Sequence, residues 1–225
     1  MCDGHHPDAG YSPPRHLIRE PHPCGRCSIP DCVRTRKAPD VDVIERALNG
    51  DEQAYQTIVE AHREAVFRLA YLLLGDADDA EDIAQETFIR ALRYLHRYDR
   101  DRPLRPWLLR ISSNLARNRR RSLGRYWSAL QRLAGYAPTE NPVTPENRSM
   151  QAAEADALWQ AVRCLKPPEQ EIIYLRYFLE LSVTETAEAL DVQPGTVKSR
   201  LHRALNRLRE VVKHDYPELV DVYEG

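Results

Sequence analysis

The sequence predicts an all-α protein: two small helical domains joined by a flexible linker, the second a helix-turn-helix, preceded by a disordered N-terminal extension. Three observations carry that prediction. Apolar residues recur at spacings of three and four in successive segments from Val41 onward. Residues 135–145 (GYAPTENPVTP) interrupt them with turn and coil chemistry. Residues 182–213 couple a capped short helix to a long amphipathic one across a short break. The resulting division is an extension at 1–40, a first domain at 41–123, a linker at 124–151, a second domain at 152–213 and an acidic tail at 214–225.

The extension is rich in Pro, His, Cys and Gly and has no apolar period. Within it, Cys24 and Cys27 form a CxxC pair, and Cys32 and His22 could complete a tetrahedral nitrogen–sulfur shell of the kind zinc prefers. A single such pair without a matching second one equally fits a solvated tail with incidental thiols, so the expectation is no cofactor, with zinc at these four residues as the one candidate.

From Val41 the pattern turns helical. Val41, Ile44, Ala47 and Leu48 make one short stripe that Asn49-Gly50 ends. Asp51 can cap a longer helix whose stripe of Ile58, Val66, Leu69 and Leu73 ends at Gly75. The next helix, over 76–95, carries Asp76, Asp78, Asp79, Glu81, Asp82 and Glu86 in its first half, with Ile83, Ala84, Phe88, Ala91, Leu92 and Leu95 facing inward. Acid in a first turn suits the helix dipole, but this run extends past one turn, which points to a basic protein partner.

The sign then reverses. Ten arginines stand between Tyr94 and Arg125 against Asp99 and Asp101. Pro103 and Pro106 break the chain, and Pro106 is placed to begin a helix with Trp107, Leu108, Ile111 and Leu115 inward. Arginines for backbone, Tyr94, Tyr98 and Trp107 for stacking, and Asn114 and Asn118 for base edges are the parts that hold a single strand of nucleic acid. Trp107 lies on the apolar stripe and is expected in the core.

In the second domain, residues 152–165 form a helix with Leu158, Trp159, Val162 and Leu165 inward, beside Cys164 as a core thiol. Pro168 begins another with Ile172, Ile173, Leu175 and Phe178. Ser182 and Glu185 form a capping box for a helix ending near Leu190. Pro194 opens the last helix, with Val197, Leu201, Leu205, Leu208 and Val212 on one stripe. Its other face offers Thr196, Lys198, Ser199, Arg200, His202 and Arg203 toward a DNA groove.

Composition narrows the function classes. The chain has 225 residues, 29% of them charged, yet the net charge is only −2, so its cationic patches are local and indiscriminate nucleic-acid coating is excluded. No apolar run is long enough for a bilayer, and the N-terminus lacks a secretory core, so the expectation is a cytoplasmic protein without membrane insertion. Five cysteines, an odd number clustered at one end, do not make a disulfide framework. No carboxylate pair, nucleophile with base or phosphate-cradling glycine loop stands out, so no enzyme is expected.

Three stretches together resemble bacterial RNA polymerase sigma factors of the extracytoplasmic-function group, the minimal kind with only regions two and four. They are DAEDIAQETFIRAL (79–92), PWLLRISSNLARNRRRS (106–122) and PPEQEIIYLRYFLELSVTETAEALDVQPGTVKSRLHRALNRLRE (167–210). The resemblance implies that the chain binds core RNA polymerase through its beta-prime and beta subunits and directs it to promoters. The acidic helix would dock on the beta-prime clamp helices through Asp79, Glu81, Asp82, Gln85, Glu86 and Phe88. The arginine-rich helix would melt and capture the minus-ten element, with Asn114 and Asn118 on a flipped base and Arg117, Arg119 and Arg120 on backbone. The last helix would read the minus-thirty-five element in duplex DNA. An anti-sigma partner is also implied. Leu104 stands where the family often has an aromatic, and Asp191 stands in the turn where glycine is frequent; Asp tolerates a left-handed backbone better than most residues. The alternative is a stand-alone helix-turn-helix regulator with a metal- or redox-sensing arm, which leaves the acidic and arginine-rich helices without a role.

Overall fold

A computed structural model of the chain describes residues 40–100, 102–134, 150–217 and 219. His22, Cys24, Cys27 and Cys32, and the coil expected at 135–145, lie outside these residues. The described residues are helical throughout, with no strand among them.

The first domain is built from α1 (Asp40–Leu48), α2 (Glu52–Leu74), α3 (Ala77–Tyr94) and α4 (Leu104–Ala134). Its helix ends are set by short polar residues. The Asp51 carboxylate accepts from the Ala54 N–H at 3.1 Å and from the Arg46 guanidinium at 2.7 Å, and Arg46 holds its carboxyl below the usual carboxylate range. Gly75 closes α2 at φ 81°, its N–H donating to Tyr71 O at 2.8 Å; this is the left-handed C-cap that glycine enters without a Cβ penalty. Asp76 then caps α3 by accepting from the Asp79 N–H at 2.8 Å.

The three long helices close on one core. Val66, Leu69 and Ala70 of α2, Ala80, Ile83, Ala84 and Phe88 of α3, and Leu104, Leu108, Leu109 and Ala116 of α4 are all buried. Each large side chain removed from water in this way contributes about 1.5–3 kcal/mol, so packing rather than helix propensity holds the domain.

Three expectations are corrected here. α4 begins at Leu104, two residues before Pro106, because Leu104 is fully buried and anchors the first turn; Pro106 sits within that turn, where its missing N–H costs no intrahelical bond. α4 also runs on past Gly124 to Ala134. Leu92, assigned to the buried stripe, is 48% exposed beside Ile89 at 53%, since Phe88, Ala91 and Leu95 already fill the inward side.

The second domain contains α5 (Met150–Arg163), α6 (Pro167–Ile173), α7 (Val183–Leu190) and α8 (Pro194–Asp215), with a π-helical turn at Tyr174–Phe178. Trp159 stacks on Tyr174 at 5.7 Å between ring centroids, and Phe178 meets Tyr174 edge-on at 5.6 Å. Ile172, Leu175, Leu181, Ala189, Val197 and Ala204 complete the core around them. Cys164, expected in this core, is exposed in the turn between α5 and α6. Leu165 takes the inward position instead.

Candidate nucleic-acid interface

The reading helix is placed by its turn. Ser182 Oγ accepts from the Glu185 N–H at 3.1 Å and Glu185 returns the bond by accepting from the Ser182 N–H at 2.8 Å, so the predicted capping box is formed. Asp191 ends α7 in the left-handed region at φ 56°, ψ 50°, and Pro194 opens α8. Val197 and Ala204 are buried and Leu201, Leu205 and Leu208 half-buried, which turns the opposite face outward. On it Lys198, Ser199, Arg200, His202 and Arg203 are exposed, with Thr196 partly so. Lys198, Arg200 and Arg203 form no ion pair among the described residues. The Arg203 Nε–H leans back on Ser199 O at 3.3 Å, and His202 pairs with Asn206 at 3.0 Å. All six predicted minus-thirty-five residues therefore lie off the buried stripe of α8, five of them exposed and Thr196 partly so.

The predicted minus-ten residues are divided. Asn114 and Asn118 are exposed on α4, each accepting from the arginine three residues on: Arg117 at 2.6 Å and Arg121 at 3.2 Å. Arg119 lies on another side, its guanidinium donating twice to Asp79 Oδ1, at 2.5 and 3.0 Å, a bond that raises its pKa. Arg117 and Arg120 face the second domain. Arg117 meets Glu171 at 3.3 Å, and burial works against the charge of Arg120, with Tyr174 and Glu171 favouring it. Of the aromatic planes, Tyr98 is buried against Trp107 at 5.0 Å, and Tyr94 is the exposed one, with Arg97 5.7 Å from its ring centre. Trp107 is half-buried against the core, as its place on the apolar stripe predicts.

On α3, Asp82 and Gln85 are exposed, while Glu86 is tied to Arg90 at 2.6 Å and Glu81 to Arg63 at 2.7 Å. Asp79 is mostly covered by its bond to Arg119. Phe88 packs inward, and its carbonyl accepts from the Tyr55 hydroxyl. Ile89 and Leu92 take the exposed apolar place on this face. Sequence reasoning placed Leu92 on the buried stripe and passed over Ile89, because both fall within one helical turn of the true inward positions; the surplus of apolar residues over one stripe was the available signal.

Residues 58–126 match Sigma-70 region 2, and residues 155–208 match Sigma-70, region 4. The ECF RNA polymerase sigma factor SigW of Bacillus subtilis is 33% identical over 76% of this chain and 95% of its own length. The ECF RNA polymerase sigma factor SigE of Mycolicibacterium smegmatis is 36% identical over 73% of this chain and 65% of its own. The chain belongs to the extracytoplasmic-function (ECF) sigma factor family. A sigma factor of this family directs RNA polymerase to promoters and is a non-enzymatic initiation factor. Among solved structures, the sigma factor RpoE of Bartonella quintana, in complex with the anti-sigma factor NepR, is similar at a TM-score of 0.54 and 26% identity, over 72% of this chain and 98% of that one. CnrH in complex with the cytosolic domain of CnrY shares the fold, with a TM-score of 0.58 over 78% of this chain and 98% of that one.

Proposed function

We propose that this sigma factor divides its work among three helices. α3 docks on core polymerase through Asp82, Gln85 and Glu86, with Ile89 and Leu92 as the apolar centre of the contact and Asp79, Glu81 and Phe88 holding its shape. α4 holds the melted minus-ten strand, Asn114 and Asn118 reading base edges and Arg117, Arg119 and Arg120 holding backbone. α8 reads the minus-thirty-five element in the major groove with Thr196, Lys198, Ser199, Arg200, His202 and Arg203. The observation that supports this reading is the segregation of charge: an acidic, partly apolar face on α3, and on α8 a cationic face whose Lys198, Arg200 and Arg203 form no ion pair among the described residues, in a chain with almost no net charge. A stand-alone regulator needs only the second of these.

An anti-sigma protein as partner is supported by the complex formed by the related RpoE. No helix among the described residues is long and apolar enough to cross a membrane, which agrees with work in the cytoplasm. Zinc at His22, Cys24, Cys27 and Cys32 is a separate proposal on donor chemistry alone, and metal content with and without Cys24→Ser and Cys27→Ser decides it.

Reconstituted transcription tests the main reading. Purified protein with bacterial core polymerase on a pooled promoter library is expected to give new transcript starts that share two spaced upstream motifs. Absence of dependent starts, together with tight operator binding by the protein alone, would replace it with the regulator.

A further inference from the structure

The two domains meet along α4, and arginines make most of the polar contact. Arg105 donates to Leu179 O at 2.9 Å, Arg110 meets Asp191 at 2.5 Å, and Arg117 meets Glu171 at 3.3 Å. Arg120 is half-buried beside Glu171 and Tyr174. At 100° per residue these four arginines fall within an arc of about 140° on α4. Their acceptors on the second domain are two carboxylates and a carbonyl. A nucleic-acid phosphate offers guanidinium groups the same charged oxygen chemistry.

We propose that Asp191 and Glu171 occupy the arginine side of α4 in place of nucleic-acid phosphates, so that the second domain masks this side in the free protein and a separated DNA strand must displace it. The proposal rests on the reading of α4 as the strand-holding helix. It adds that the occupant of that helix, before DNA, is the protein itself.

The contact is built to open. Arg110 and Asp191 are 41% and 67% exposed, and a pair so accessible shifts an equilibrium by only about two- to fivefold and is screened by salt. Further along this side of α4, Ser113 Oγ and Arg120 Nη1, and Glu171 Oε1 of the second domain, are buried and make no hydrogen bond among the described residues. Polar groups left unsatisfied in an interface weaken it relative to an apolar one. The closure is also partial: Lys198, Arg200 and Arg203 of α8 and Asn114 and Asn118 of α4 remain exposed, so it covers the backbone-holding Arg117 and Arg120 and leaves the groove-reading and base-reading side chains open. Asp191 itself sits at φ 56°, a conformation glycine adopts more readily, so the turn does not require the carboxylate.

That last point supplies a clean variant. Asp191→Gly keeps the turn and deletes the contact to Arg110. The full chain, with its cysteines replaced by serine, would carry spin labels at Glu52→Cys and Lys213→Cys for pulsed distance measurement. Raising salt from 0.1 to 1 M, Asp191→Gly, and Asp191→Gly with Glu171→Gln are each expected to move the distribution to longer distances. Affinity for a mixed-sequence DNA single strand should rise about two- to fivefold for Asp191→Gly, and further for the double variant. Unchanged distances under all three treatments would overturn the proposal; should Glu171→Gln misfold, salt and Asp191→Gly decide alone. Longer distances without a gain in strand affinity would overturn the competition. Longer distances with no strand binding by any variant, even with polymerase present, would instead remove the reading of α4 on which it rests.

Discussion

Asp79 on α3 and Arg119 on α4 are joined by two hydrogen bonds to one oxygen, Oδ1, at 2.5 and 3.0 Å. This contact ties the acidic helix to the arginine-rich one and uses a residue from each of two predicted binding faces. Asp79→Ala is therefore expected to act mainly on the fold. With Arg119 about half exposed, the loss should be about 0.2–1 kcal/mol, read as a small fall in Tm, with polymerase affinity reduced far less than by changes at Asp82 and Glu86.

Asp82→Arg with Glu86→Arg should abolish association with core polymerase while leaving the helical circular dichroism unchanged, since both side chains point outward. Ile89→Ser with Leu92→Ser should weaken the same association without lowering stability, because neither side chain belongs to the core. Wild-type affinity in both variants would move the docking site off α3.

Lys198→Ala or Arg200→Ala, where the side chain contacts a base, should each cost about 1–3 kcal/mol on the cognate minus-thirty-five element and relax preference at one position. A uniform loss across sequences, with a shallower salt dependence, would identify a phosphate contact.

Two glycines should respond with opposite sign. Gly75 holds φ 81°, so Gly75→Ala is expected to destabilise by about 1 kcal/mol even though nothing lies within 4 Å of the added carbon. Gly124 lies inside α4 with equally open space around it and no unusual φ, so Gly124→Ala should stabilise the helix by about 0.5–1 kcal/mol. Thermal unfolding of the pair checks both signs.

Alkaline stability has a defined direction. Burial raises the Tyr55 phenol from an ordinary 10.0 to about 12, and also raises that of Tyr174 in the second domain. Below pH 10 both phenols are neutral folded or unfolded, so their contribution is fully present. Above it the unfolded chain ionises first, and stability falls as pH rises through the folded values. Tyr55→Phe, which also loses the bond to Phe88 O, should cost about 1 kcal/mol at pH 7 and make the alkaline fall shallower in denaturant titrations.

The helix ends were legible because they depend on neighbours in sequence: Asp51, Gly75, the Ser182–Glu185 box and the Asp191 turn each act within a few residues. What escaped depends on distance. Leu92 and Cys164 lie beside residues that fill the inward positions better, which periodicity alone does not rank. Arg110 and Asp191 are 81 residues apart, and no local pattern joins them. The outer face of α8 could be read because an amphipathic helix with a fixed apolar stripe has its other side decided. The arginine side of α4 could not, because its occupant comes from the other domain.

Between the end of α4 at Ala134 and the start of α5 at Met150 the chain has only fifteen residues. Fully stretched, they span roughly 50 Å. On the roles proposed for α4 and α8, their number caps how far the two helices can part on a promoter, and so would act as a ruler for the spacing of its two elements. Lengthening this segment would admit wider spacings before it weakened contact with either element; shortening it would remove the widest spacing first.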